Sequence, residues 1–152
     1  MQVILIAADH AGFSLKEKLK EYLKSKGNAV KDLGVHSKVR CDYPILAGRL
    51  STEISAGKYK QGILICRSGI GNSIVANRFP GVRAALCYNL KAARLSREHN
   101  DSNILVLGSA FVKTGLAKRI LAIWLKTKFS GLRHARRLRQ IKEIEKKLSL
   151  KH

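Results

Sequence analysis

The stretch Gly62-Ile-Leu-Ile-Cys66, running on through Arg67, Ser68, Gly69, Ile70, Gly71 and Asn72, reads as a strand that passes through a glycine turn into a helix. Its apolar residues are contiguous instead of alternating, which is the pattern of a strand covered on both faces. Runs of the same kind occupy Val3 to Ala7, Ala29 to Leu33, Val82 to Cys87 and Ile104 to Leu107, with amphipathic stretches between them. This alternation predicts an α/β fold in which a parallel sheet of five strands carries helices on both faces.

The helices can be bounded from their end signals. Ser14 and Glu17 have the spacing of a capping box, Leu15, Leu19, Tyr22 and Leu23 form an apolar stripe, and Gly27 supplies a stop. Pro44 opens a second helix carrying Ile45, Leu46, Leu50 and Ile54, which ends near Gly57. A third is expected from about Asn72, a fourth over Leu90 to Glu98, and a fifth from about Thr114 to Lys128. Residues 134–150 read as a C-terminal helix whose narrow stripe of Leu138, Ile141, Ile144 and Leu148 must pack on the domain itself or on a second subunit. No repeat, linker or low-complexity tract divides residues 1–152, so one domain is expected.

Composition narrows the function classes. No window approaches the length of a membrane span, and the short apolar run at the N-terminus lacks the flanks of a secretory signal, so a cytoplasmic protein without membrane contact is expected. Cys41, Cys66 and Cys87 are odd in number and widely spaced, which argues for free thiols over disulfides or a zinc knuckle. Thirty Lys and Arg against ten Asp and Glu give a formal charge of +20, a field that draws anions such as phosphorylated metabolites or nucleic acid. Much of the excess lies in the last helix, where a solvated charged face is the plain reading. A basic nucleic-acid-binding module is the alternative that the charge suggests. Aromatics amount to only 6% and no helix-turn-helix or RNP-like signature occurs, so no specific nucleic-acid partner is expected.

Gly69-x-Gly71 is followed by Ile74 where a dinucleotide fingerprint has its third glycine, and the loop lacks the GK[ST] ending of a P-loop. Neither nicotinamide nor nucleoside triphosphate binding is indicated. Absence of HxH, HExxH and clustered carboxylates likewise gives no metal site, so no cofactor is expected. The glycine loop can face its amide N–H groups to a small anion, or it can be an ordinary strand-to-helix turn. Cys66, beside a helix N-terminus and Arg67, has surroundings that favour a thiolate acting as base or nucleophile. Ligands of open parallel sheets bind beyond the carboxyl ends of the strands. Asp9-His10, the Cys66 to Asn72 loop and His99-Asn100-Asp101 are therefore expected to share one crevice.

Taken in order, Asp9-His10, Asp42-Tyr43-Pro44, Gly62 to Cys66 with Ser68 to Gly71, Ser96 to Asp101, and Arg133-His134 with Arg137 closely resemble the type B ribose-5-phosphate isomerases. The resemblance runs from residue 1 to about residue 145 and implies a Rossmann-like three-layer sandwich assembled as a dimer or tetramer. It implies an aldose–ketose isomerase of sugar phosphates, either ribose 5-phosphate or, as in related members, six-carbon allose or galactose 6-phosphate. By the same resemblance, Cys66 is the base that moves a proton between carbons 2 and 1 and Ser68 the hydroxyl that assists between the sugar oxygens. Arg67, Ser68, Gly69, Ile70 and Gly71 form the anion hole, while His99 opens the furanose ring and Asp9 holds protons at the hydroxyl end. His10, Arg133 and Arg137 grip the phosphate, Asn100 and Tyr43 line the pocket, and subunits share the site.

Two positions depart from the family pattern. Arg67 stands where glycine is usual and would be strained if that position required positive φ; otherwise its charge is expected to lower the Cys66 pKa or narrow the substrate range. Ser68 replaces threonine, keeping the hydroxyl with a freer rotamer.

Overall fold

The computed structural model describes residues 2–151; the terminal residues of the expected 1–152 domain lie outside that range. Strands β1 (Val3–Ala8), β2 (Ala29–Asp32), β3 (Gln61–Cys66), β4 (Ala84–Leu86) and β5 (Ile104–Gly108) pair in the order β2-β1-β3-β5-β4, all parallel. Helices α1 (Phe13–Ser25), α2 (Tyr43–Ser55), α3 (Ile70–Ala76) and α4 (Leu90–Glu98) connect them, and α5 (Thr114–Lys126) and α6 (Arg133–Ser149) follow β5.

Successive strand residues face opposite sides of the sheet, and the two cores separate accordingly. Ile4, Ile6, Ile63, Ile65, Leu105 and Leu107 pack under α1, α4 and α5, with Trp124 fully buried among them. Leu5, Ala7, Leu64, Ile104 and Val106 pack under α2 and α3. The expected three-layer α/β sandwich is thus formed. Because β1 leads out to β2 at one edge while β3 leads the other way, the chain diverges between the carboxyl ends of β1 and β3, which is where such sheets open a crevice.

Local details differ from the sequence reading. α1 begins at Phe13 with Gly12 as its N-cap and no side-chain cap, so Ser14 and Glu17 form no capping box. Glu17 instead lies 3.0 Å from Lys16 and 3.1 Å from Lys20, and Asp32 at the end of β2 pairs with the same two lysines. That cluster ties the fully buried Lys16 to the mouth of the following loop, where the Gly34 amide donates to Asp32 Oδ1 at 2.8 Å. α3 starts at Ile70, ahead of Asn72, and β4 shrinks to three half-buried residues because an edge strand pairs on one side only.

The apolar stripe of α6 is not buried by its own chain. His134 is the helix's only buried side chain, while Ile141, Ile144 and Leu148 are 45%, 57% and 55% exposed. The helix is held against the turn after α3 by Glu145, whose carboxylate accepts the Gly81 amide at 3.2 Å. Among the described residues no helix is long and apolar enough to cross a membrane.

Leu19 is fully buried on α1, away from the crevice. Leu19→Ala is expected to cost about 2–5 kcal/mol through lost transfer energy and the cavity left behind, read as a lower midpoint in urea unfolding.

Candidate active site

At the carboxyl end of the sheet, register places Asp9 beside Cys66. Ala8 aligns with Ile65, and the Asp9 amide donates to the Ile65 carbonyl at 3.3 Å. Asp9 is 6% exposed, and its Oδ1 accepts the Gly12 amide at 3.0 Å, which fixes the carboxylate in the β1–α1 turn. Cys66 is 4% exposed, and its Sγ receives the Gly69 amide at 3.2 Å. Burial pushes the thiol pKa up; the amides of Asn72, Gly69 and Ser68 pull it down, and the charge of Asp9 adds to the upward push. Burial wins. The expectation of an environment favouring the thiolate is therefore reversed in the free protein, and Arg67, whose side chain is exposed, does not alter the outcome.

The loop itself is rigidly seated. Gly69 takes φ +83°, a conformation L side chains avoid, so the left-handed position falls there and Arg67 is unstrained. A Cβ on Gly71 would lie 2.7 Å from the Tyr43 hydroxyl, so this glycine lets Tyr43 lie across the loop. Ser68 Oγ accepts the Ile70 amide at 3.1 Å, leaving its own proton free to donate, and the Ser68 carbonyl accepts the Tyr88 hydroxyl at 3.0 Å. His10 is half-buried, and its Nδ1 accepts the Cys41 amide at 3.3 Å. That bond selects the tautomer with hydrogen on Nε2, a free donor.

The remaining expected residues stand at the opposite end. α4 runs back from the carboxyl end of β4, and His99 caps its C-terminus. Asn100 and Asp101 accept from the Arg83 side chain ahead of β4, while the Asn103 carbonyl accepts the amide of Gly62, at the start of β3. Gly108, which aligns with Cys66, is five residues beyond Asn103 along β5, roughly 16 Å at about 3.3 Å per residue. His99 stacks on His134 with ring centroids 4.1 Å apart and planes 14° apart. Arg133 and Arg137 are exposed on the same helix, separated by one turn. The expectation that one crevice of one chain gathers all three loops is thus corrected: a residue preceding a parallel strand must sit at the sheet's amino end.

The expected site residues thus fall into two groups, Asp9, His10, Tyr43, Cys66 and the Arg67 to Gly71 loop in one, and His99, Asn100, Arg133 and Arg137 in the other. Residues 4–141 match the ribose/galactose isomerase family. The chain belongs to that family. It is 42% identical over 147 residues to ribose-5-phosphate isomerase B of Escherichia coli (strain K12), covering 97% of this chain and 99% of that one. The structure of ribose-5-phosphate isomerase B from Clostridium thermocellum superimposes with a TM-score of 0.94 at 46% identity, over 97% of this chain and 99% of the other. Ribose-5-phosphate isomerase B from Mycoplasma genitalium, solved with bound ribulose-5-phosphate, gives a TM-score of 0.91 at 39% identity, over 95% and 96% of the two chains.

His134, which was not singled out as a site residue, faces away from the exposed Arg133 and Arg137 and is buried against His99. Its signal was visible only as a histidine between two arginines. Among the described residues no group of three or more His, Cys, Asp or Glu side chains is arranged to hold a metal ion.

Burial lowers the His134 pKa, and the neighbouring His99, Arg133 and Arg137 lower it further. A histidine whose folded-state pKa is depressed stabilises the fold above its unfolded value and withdraws that support as pH falls. Unfolding midpoints measured from about pH 8 down to about pH 5 should fall through the ordinary imidazole range near 6.5, and His134→Phe should flatten that part of the curve.

Proposed function

We propose that this protein interconverts ribose 5-phosphate and ribulose 5-phosphate through an enediolate, as a cytoplasmic homodimer in which each active site is completed by both copies. Residues 1–152 act as one isomerase domain that needs neither metal nor cofactor. The observation that carries the reading is the division of the chemistry between opposite ends of one sheet, each end holding what the other lacks. A two-fold arrangement that brings the amino end of one copy to the carboxyl end of the next builds two equal sites.

In that site Cys66 Sγ, as thiolate, takes the proton from carbon 2 of the open-chain aldose and returns it to carbon 1. The charge that develops on the sugar oxygens is received by the Arg67 to Gly71 loop, whose fixed glycine geometry keeps donors aimed without reorganisation. Ser68, with its hydroxyl proton unengaged, passes a proton between the two oxygens. Asp9 takes up the proton of the carbon 1 hydroxyl as the ring opens. His99 from the second copy protonates the ring oxygen to open the furanose. His10 through Nε2, with Arg133 and Arg137 of the second copy, holds the phosphate, and Asn100 and Tyr43 close the pocket around the sugar. Support comes from the buried Cys66–Asp9 pair, the family membership and the ribulose-5-phosphate-bound relative.

Purified protein is expected to isomerise ribose 5-phosphate equally with and without EDTA, and Cys66→Ala should lose about 10²–10⁴-fold in kcat, the usual contribution of a positioned base. Copies carrying Cys66→Ala and copies carrying His99→Ala, each inactive alone, should regain about a quarter of wild-type activity after mixing and reassociation, since half the dimers are mixed and each of those has one intact site. No recovery in dimers shown to have exchanged would remove the shared site. Because the Cys66 thiol is raised, the kcat/KM profile should have a rising limb displaced above the ordinary thiol value of about 8.5.

A further inference from the structure

The helix α4 ends differently from its neighbours. Gly27 and Gly57, with φ +80° and +73°, provide the left-handed residue that lets the chain leave α1 and α2. After α4 that position is taken by Asp101, with φ +44°, whose amide reaches back to the Arg97 carbonyl at 3.2 Å. An L side chain is disfavoured there, and glycine would reverse the chain more easily. The carboxylate must therefore supply something that glycine cannot.

It supplies a clamp. Asp101 Oδ1 accepts from Arg97 Nη1 at 2.9 Å, and Oδ2 lies 3.5 Å from Arg83 Nη2. Arg83 Nε donates to the carbonyls of Asn100 at 3.1 Å and Asp101 at 2.9 Å, so one guanidinium grips both the side chain and the backbone of the turn. Arg97 in turn lies 5.6 Å over the Trp124 ring, and Trp124 Nε1 donates to Ser102 Oγ at 2.8 Å. The turn is anchored on one flank to the start of β4 and on the other to the buried core under α5. Its product is a fixed backbone direction at His99, two residues earlier.

We propose that Asp101, held by Arg83 and Arg97, is a positioning residue for the ring-opening step: it fixes the direction in which His99 leaves α4 and so its alignment with the ring oxygen in the neighbouring copy's crevice. This rests on the reading of His99 as the acid of ring opening. Asp101 touches no substrate and takes no part in proton abstraction by Cys66, which occurs at the other end of the sheet.

The two steps separate chemically. Ribose 5-phosphate must be opened before its carbon 2 proton becomes acidic, whereas 4-deoxyribose 5-phosphate has no carbon 4 hydroxyl, cannot close a furanose, and presents the open aldehyde directly. Asp101→Gly keeps the chain reversal and removes the carboxylate's bonds to Arg97 and Arg83; Asp101→Asn tolerates the left-handed backbone and retains one acceptor oxygen. With full-length protein, Asp101→Gly should lose at least about tenfold in kcat on ribose 5-phosphate with KM changed by less than about twofold, as a misaligned group costs rate more than binding. Its turnover of the 4-deoxy substrate should stay at the wild-type level, Asp101→Asn should recover most of the loss, and the unfolding midpoint of Asp101→Gly should not fall. Wild-type turnover of ribose 5-phosphate by Asp101→Gly, or an equal loss on both substrates, would overturn the proposal. His99→Asn, measured alongside, distinguishes the two levels. If it loses ribose 5-phosphate turnover selectively while Asp101→Gly does not, the positioning role fails and the acid stands. If His99→Asn keeps full activity on ribose 5-phosphate, the ring-opening assignment fails and the positioning role falls with it.

Discussion

Parallel pairing of β1, β3 and β5 aligns their carboxyl ends along one edge of the sheet, and the register of β1 against β3 puts Asp9 next to Cys66. The rest of the site follows from that alignment. The central strands β1 and β5 are apolar throughout and β3 is apolar after Gln61, so next to Cys66 polar side chains enter only where the chain leaves the sheet. Residues that precede a strand are sent to the other edge with equal strictness. The parallel sheet therefore sorts the candidate site residues into two groups, which the two-fold association proposed above would bring together.

Within the carboxyl-end half, the thiol is governed by opposing contributions of different range. Desolvation acts on Cys66 because the strand that delivers it is covered on both faces, and the carboxylate of Asp9 works in the same direction. Amides from the glycine loop oppose both, but they do not restore the ordinary thiol pKa. In the proposed reaction the thiol must first lose its proton, so its raised pKa sets the pH above which Cys66 can act as the base. The broad positive charge of +20 acts at longer range, drawing phosphorylated anions to a surface on which Arg133 and Arg137 present adjacent guanidinium groups.

The amino-end half is built on constraint of another kind. His99 stacks against the buried His134, and its backbone is set by the turn in which Asp101 takes the place of a glycine stop. Arg83 and Arg97 meet at that turn, so residues from β4's approach, α4 and α5 converge on it. The exposed apolar stripe of α6 extends from the same region.

The sequence alone determined the element types, because contiguous apolar strands and helical stripes are local patterns enforced by the burial each element requires. Five strands and the C-terminal helix lie close to where periodicity and stop residues put them, and Gly27, Gly57 and Pro44 mark real ends. The ordered motifs also carried the family. Tertiary structure decided what local pattern cannot encode: which end of the sheet a loop occupies, and which groups then meet. His99 looked like a companion of Cys66 until strand direction separated them, and Arg67 looked like a modifier of the thiol until burial proved the larger effect. The Ser14–Glu17 capping box does not form because the helix starts at Phe13, which puts Ser14 inside its first turn, and Glu17 pairs with Lys16 and Lys20 instead. His134 and Asp101 gained their roles from neighbours distant in sequence, and long-range contacts of that sort are fixed only when the sheet closes.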